Sequence, residues 1–229
     1  MALIKSQIIS VASGSTGGLT YSRNRFGMYI RNRSLPVNPN TAFQQAVRNA
    51  ISQLSTRWVE TLTLTQQLGW EVYAASVQVI NKVGDAVNLT ALNMYVRSNV
   101  QRVVSGLGLV DDAPTVFDLG TATPPSYTPS AAADNVSVAF DNTDDWANSD
   151  GGFMLIYASV PKNKSVNFCA GPYRLAGLIL GDGTTPPTSP QVITLPHAIA
   201  SGNRVFFKAN ALYADGRRTS DFRNSADAA

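Results

Sequence analysis

The chain has 229 residues, 44% of them apolar, and a formal net charge of +3, yet only 14% of its residues are charged. That length suits two small domains that each bury a core, and no run reaches the ~18–20 apolar residues of a membrane span, so no membrane partner is expected. A single cysteine, Cys169, excludes an internal disulfide and any multi-cysteine metal site.

Low charge leaves a surface poorly defended against association. Arginine outnumbers lysine by 13 to 5, and its weakly hydrated fork suits interfaces that become dry. The charge is also uneven: residues 1–60 carry +6, residues 61–110 carry +1 and residues 111–229 carry −4. A basic head on a mildly acidic body can orient subunits or steer the head to an acidic partner. The first thirty residues show no secretory signal pattern.

In chain order, residues 3–12 read as a β-rich arm that pairs either with the chain's own sheet or with another subunit. Ser13–Gly18 is a glycine-rich turn. From Tyr21 to Arg33 residues alternate: Tyr21, Arg23, Arg25, Tyr29, Arg31 and Arg33 share one parity, with Met28 and Ile30 on the other. This predicts a two-stranded ribbon, turned or bulged at Gly27, with four arginines on one face. These six residues are the candidate partner-binding set.

After Pro36–Asn40 a helical period takes over. Thr41 with Gln44 fits a capping box, and Phe43, Val47, Ile51, Leu54 and Trp58 form one apolar stripe. A second box, Thr63 with Gln66, opens a helix carrying Trp70 and Tyr73. Trp58 and Trp70 are expected in the seam between these helices. Asn88 is a candidate cap for a third helix through Leu92, Tyr95 or Val96, Asn99 and Val103, ended by Gly106 and Gly108. Asp111–Pro114 then reads as a domain boundary.

From Thr115 the texture becomes all-β, with candidate strands at 115–119, 135–140, 153–159, 173–180, 191–195, 203–213 and 219–223. Seven short segments joined by Gly, Pro, Asp, Asn and Ser predict a two-sheet sandwich. The expected fold class is therefore α+β: a β-ribbon with a small helical bundle over 1–112, then an all-β sandwich over 113–229.

Two resemblances extend this reading. The stretch Arg204–Ser220 resembles the end of a fibronectin type III domain, with Phe207, Ala209 and Ala211 inward and Asp215–Gly216 in the turn. That resemblance implies an immunoglobulin/fibronectin III-like sandwich and says little about function. Residues 14–114 resemble a group of small proteins encoded by bacteriophages and some bacterial genomes. The likeness rests on the glycine-rich hairpin, Tyr29–Ile–Arg31, Asn38–Pro–Asn–Thr41, Gln45, Arg48, Trp58, Trp70, Tyr73–Ala74, Asn99 and the Gly106–Pro114 exit. It implies a virion structural protein (capsid decoration, fibre base or head–tail/tail accessory) assembled in the host cytoplasm. Its partners would be other capsid or tail subunits and further copies of itself, as a homo-oligomer.

The chemistry is sparse. The sole histidine, His197, follows Pro196 with no serine or cysteine motif, and neither a nucleophile elbow nor a phosphate loop occurs. No enzymatic activity and no cofactor are expected. The acid-rich loop Asp141–Gly152 offers hard oxygen ligands for calcium, but Asp and Asn also dominate plain turns. Trp146 and Tyr157 are the aromatic hints of a sugar platform. Cys169 is expected as a small buried apolar residue. For the ribbon, three readings stand: docking on virion proteins, tracking nucleic-acid phosphates with tyrosines stacked on bases, or local pairing with Glu60, Glu71 or Asp85.

Overall fold

The computed structural model describes residues 2–3, 12–24, 27–35, 37–81 and 84–229. The chain divides into two compact units, Met1–Ala42 and Phe43–Ala229. The fold class is mixed α+β, with three helices and antiparallel sheets among the described residues.

In the first unit, β1 (Ala2–Leu3), β2 (Gly14–Thr16), β3 (Leu19–Asn24) and β4 (Gly27–Asn32) form one antiparallel sheet in the order β1-β4-β3-β2. Gly17 turns the chain between β2 and β3 at a φ of 57°, a conformation that favours glycine in a two-residue hairpin loop. Of the expected N-terminal arm, residues 2–3 pair with the chain's own β4, and residues 4–11 lie outside the described residues, as does Arg25.

The second unit opens with α1 (Ala42–Glu60), α2 (Leu64–Ser76), the hairpin β5 (Gln78–Ile80) with β6 (Ala86–Asn88), and α3 (Ala91–Val104). Thr63 caps α2 as its spacing predicts: its side chain accepts from the Gln66 amide, and the Gln66 side chain accepts from the Thr63 amide. Asn88 departs from expectation. Thr90, not Asn88, caps α3, and Asn88 instead donates to the carbonyls of Ala74 and Ala75, at 3.0 and 2.7 Å. It thus closes the far end of α2, whose last carbonyls have no helical partner.

Helix α3 ends in a Schellman turn. The Leu107 amide donates to the Arg102 carbonyl and the Gly106 amide to Val103, with Gly106 at a φ of 70°. The helices share an apolar core of Leu54, Leu62, Trp70, Tyr73, Ala74, Met94 and Tyr95. Both tryptophans meet at Tyr95 of α3, Trp58 and Trp70 each at 5.5 Å between ring centres.

The segment after α3 is bound to the helices. Asn99 donates to the Val110 carbonyl at 2.9 Å and accepts from the Val110 amide at 2.8 Å. The Trp70 indole donates to the Asp111 carbonyl at 2.8 Å. The boundary expected at 112/113 therefore lies inside the second unit, immediately after residues held by the helical core.

The remaining strands are β7 (Ser126–Ser130), β8 (Asn135–Ala139), β9 (Phe153–Ser159), β10 (Lys162–Asn163), β11 (Tyr173–Leu180), β12 (Gln191–Thr194), β13 (Asn203–Leu212) and β14 (Phe222–Asp227). One sheet runs β12-β8-β7. In the other, β9 lies between β11 and β13, β14 pairs with β13, and the short β10 also pairs with β13. Both sheets feed one apolar core: Tyr127, Val136, Val138 and Ile193 from the first, Met154, Ile156, Phe207, Ala209 and Ala211 from the second.

Five of the seven expected strands coincide with observed ones within two residues at each end. The stretch 115–119 is not a strand, and the last strand begins at Phe222, because Tyr213–Asp221 is taken up by a turn closed from Gly216 to the Tyr213 carbonyl and from Thr219 to Ala211. β7 is not legible in the sequence, since Pro129 in Ser–Tyr–Thr–Pro–Ser argues against a strand. It is tolerated because β7 ends the order of its sheet, where Pro129 removes no ladder bond.

Candidate docking surface

Two residues directly opposite in an antiparallel pair point to the same face. In the ribbon Tyr21 lies opposite Ile30, Arg23 opposite Met28, Ser22 opposite Tyr29 and Thr20 opposite Arg31. One face therefore carries Leu19, Tyr21, Arg23, Met28 and Ile30, and the other Thr20, Ser22, Tyr29 and Arg31. The single arginine face expected from parity is not formed. The paired numbers sum to 51, an odd value, so equal parity on the two strands means opposite faces.

Among the described residues each face thus presents one Tyr–Arg pair, and Arg33 follows the end of β4. Arg23, Arg31 and Arg33 are exposed. Among the described residues none of the three makes an ion pair. None of the described residues 12–41 is buried, and Tyr21, Met28, Tyr29 and Ile30 are all half-exposed. A sheet needs an apolar face packed on something to be stable. This one has apolar side chains on both faces and no buried centre among its described residues.

A second surface belongs to α2. Trp70, Tyr73 and Ala74 face the core, while Leu64, Leu68 and Val72 on the roughly opposite side are 71%, 51% and 54% exposed. Glu71 is the sole charged residue of this helix. The stripe was readable from its spacing of four, but the buried tryptophan face draws the eye first. On α1, Phe43 and Ile51 of the predicted core stripe are exposed, whereas Leu54 is fully buried and Ala50, off the stripe, is buried beside it.

The other candidates resolve as structural. In the acidic loop Asp141 accepts from the amide and hydroxyl of Thr143, Asp144 from the Thr123 amide at 2.8 Å, and Asp150 from the Gly183 amide at 2.9 Å. The amide and hydroxyl of Thr143 hold the Asp141 carboxyl below its usual range. Among the described residues no three His, Cys, Asp or Glu side chains converge as a metal site would require. Trp146 is fully buried against Phe140, and Tyr157 lies under the Lys208 ammonium at 5.1 Å, so the two offer no sugar platform. Cys169 is buried. His197 is half-buried, and its Nε2 has no hydrogen-bond partner.

Among the described residues no helix is long and apolar enough to cross a membrane. Comparison with known proteins yields no match: no family profile fits the chain, and no curated protein or solved structure is significantly similar to it.

Proposed function

We propose that this chain is a non-catalytic assembly protein whose N-terminal sheet docks on other structural subunits, in keeping with the bacteriophage virion component that its sequence resembles. The observation that carries the reading is the first sheet, which displays Tyr21 with Arg23 on one face and Tyr29 with Arg31 on the other and has no buried described residue between 12 and 41. A partner that covers either face supplies the missing core, and an arginine on each face reaches its carboxylates or carbonyls. The apolar stripe of α2 adds a surface suited to a second copy, because apolar area of this kind on a helix is stabilised by being covered.

The C-terminal strands fit a fibronectin III-like sandwich. Three strands in one sheet, the longer strands in the other, and a shared core support that reading. Such a module would serve as a spacer or an outward-facing surface. A nucleic-acid role for the ribbon is less well served, since Arg23 and Arg31 cannot follow one phosphate track from opposite faces.

The test has two parts. Light scattering of the intact chain at low and high salt is expected to give an oligomer that resists salt. Purified particles are expected to contain the chain, and the Arg23→Gln, Arg31→Gln double variant is expected to be lost from them while remaining folded. A salt-independent monomer that is also absent from particles overturns the proposal.

A further inference from the structure

Within the second unit, a pocket of about 370 Å³ opens between β5, α3 and the turn into β14, lined by Val79, Ile80, Arg97, Arg218, Asp221 and Arg223. Its charge is unbalanced. Arg97, Arg218 and Arg223 line it and Lys208 reaches its edge, against the single carboxylate of Asp221.

That carboxylate is already committed. It accepts from the Lys208 ammonium at 3.2 Å and from the Asn210 amide at 3.2 Å, and it stands 3.7 Å from Arg218. Arg97 spends one nitrogen on the carbonyls of Arg218 and Thr219, at 3.0 and 3.4 Å. Its other terminal nitrogen, Nη1, and the Nε of Arg218 are buried with no acceptor. Burial and the neighbouring Arg218 charge push the Arg97 guanidinium down to about 10. Buried donors without acceptors are costly, and native structures rarely leave them so.

We infer that this pocket binds a phosphate-type dianion, with Arg97, Arg218 and Arg223 as its cationic wall and Val79 and Ile80 against the non-ionic part of the ligand. A dianion offsets the excess positive charge better than a single carboxylate does. Its oxygens also match the forked donors of guanidinium groups. The site is independent of the assembly reading, because it shares no residue with the N-terminal sheet or with the α2 stripe.

Calorimetric titration of the intact chain with inorganic phosphate, at ionic strength held constant with sodium chloride, tests it. Saturable binding is expected, with a rise in Tm that chloride alone does not give. Arg223→Gln, at an exposed position, is expected to weaken phosphate binding about tenfold, the loss of one charge-assisted contact, with an unchanged circular dichroism spectrum. Arg218→Gln provides a second variant on the same wall. Absence of saturable binding, equal affinity in folded Arg223→Gln and Arg218→Gln, or succinate binding as tightly as phosphate would each overturn the assignment.

Discussion

Arg57 of α1 grips Asp111 through two parallel bonds, Nε to Oδ1 at 2.9 Å and Nη2 to Oδ2 at 2.6 Å, across 54 residues of chain. The Tyr95 hydroxyl adds a third donor at 3.2 Å. The exit segment after α3 is thereby tied to the first helix. Asp111→Ala leaves Arg57 and Tyr95 without an acceptor and should cost about 2 kcal/mol, the scale of hydrogen bonds to a charged group. Chemical denaturation would show a lower midpoint with an unchanged slope.

The same pair gives stability a pH dependence. Hydrogen bonding from Arg57 holds the Asp111 carboxyl below its ordinary value of 3.8. A carboxyl depressed on folding contributes stability that is fully present above its unfolded pKa and is lost as pH falls through the folded one. The gap in Tm between the native chain and Asp111→Asn is therefore expected to be constant near neutrality and to shrink below about pH 4. A gap unchanged down to pH 2 would contradict the assignment.

Arg102 is 2% exposed and makes no ion pair among the described residues. Its guanidinium donates to the carbonyls of Tyr213 and Gly108 and lies 5.2 Å from the Phe153 ring centre. It thus bonds α3 to the end of β13. Replacement by alanine removes one donor each from the Gly108 and Tyr213 carbonyls, the latter keeping the Gly216 amide, and opens a void, an expected loss of about 3 kcal/mol. Thermal unfolding followed by circular dichroism would register this, and a shift within error would show that the link is dispensable.

Gly120 has a φ of 79°, and a β-carbon there would sit 2.3 Å from the Tyr213 ring. That ring is fixed, because its hydroxyl donates to the Thr121 carbonyl and Arg217 lies 4.7 Å from its centre. Gly120→Ala meets both a conformational penalty and a rigid neighbour, so it should destabilise by more than about 1 kcal/mol. Gly202, also at positive φ but with open space around it, provides the comparison: Gly202→Ala should cost the conformational part alone.

Leu64→Lys with Leu68→Lys removes apolar surface that the folded chain leaves exposed. At concentrations low enough for the native chain to be monomeric, unfolding free energies should differ by no more than about 0.5 kcal/mol, as for surface positions generally. The oligomer expected for the native chain should dissociate. An oligomer of unchanged mass in this double variant would exclude the α2 stripe as its interface.

Much of the helical part is legible because its signals are local. The Thr63–Gln66 box, the Trp70–Tyr73 face and the glycine stop at Gly106 each depend on residues within one or two turns of one another. Two residues of the same region have physical roles: Trp70 holds the Asp111 carbonyl and Asn99 both polar groups of Val110. Asn88 misleads for the converse reason. An asparagine before a helical run fits an N-cap, and only the packing of β6 beside the end of α2 gives it a different helix to close.

What the sequence determined by itself is the α+β class, the existence of three helices with the start of α2 and the end of α3, and most strands of the second sheet, where apolar alternation at Phe207, Ala209 and Ala211 meets its turn at Gly216. Tertiary structure alone decided which sides of the ribbon Arg23 and Arg31 take, which carbonyls the buried arginines satisfy, and which apolar stripe remains uncovered. Helical and strand periods are written in neighbouring residues. The faces of a hairpin depend instead on the register between two strands, and a one-residue change in their connection reverses every side chain on one of them. Arg23 and Arg31 share parity in the chain and stand on opposite faces of the sheet.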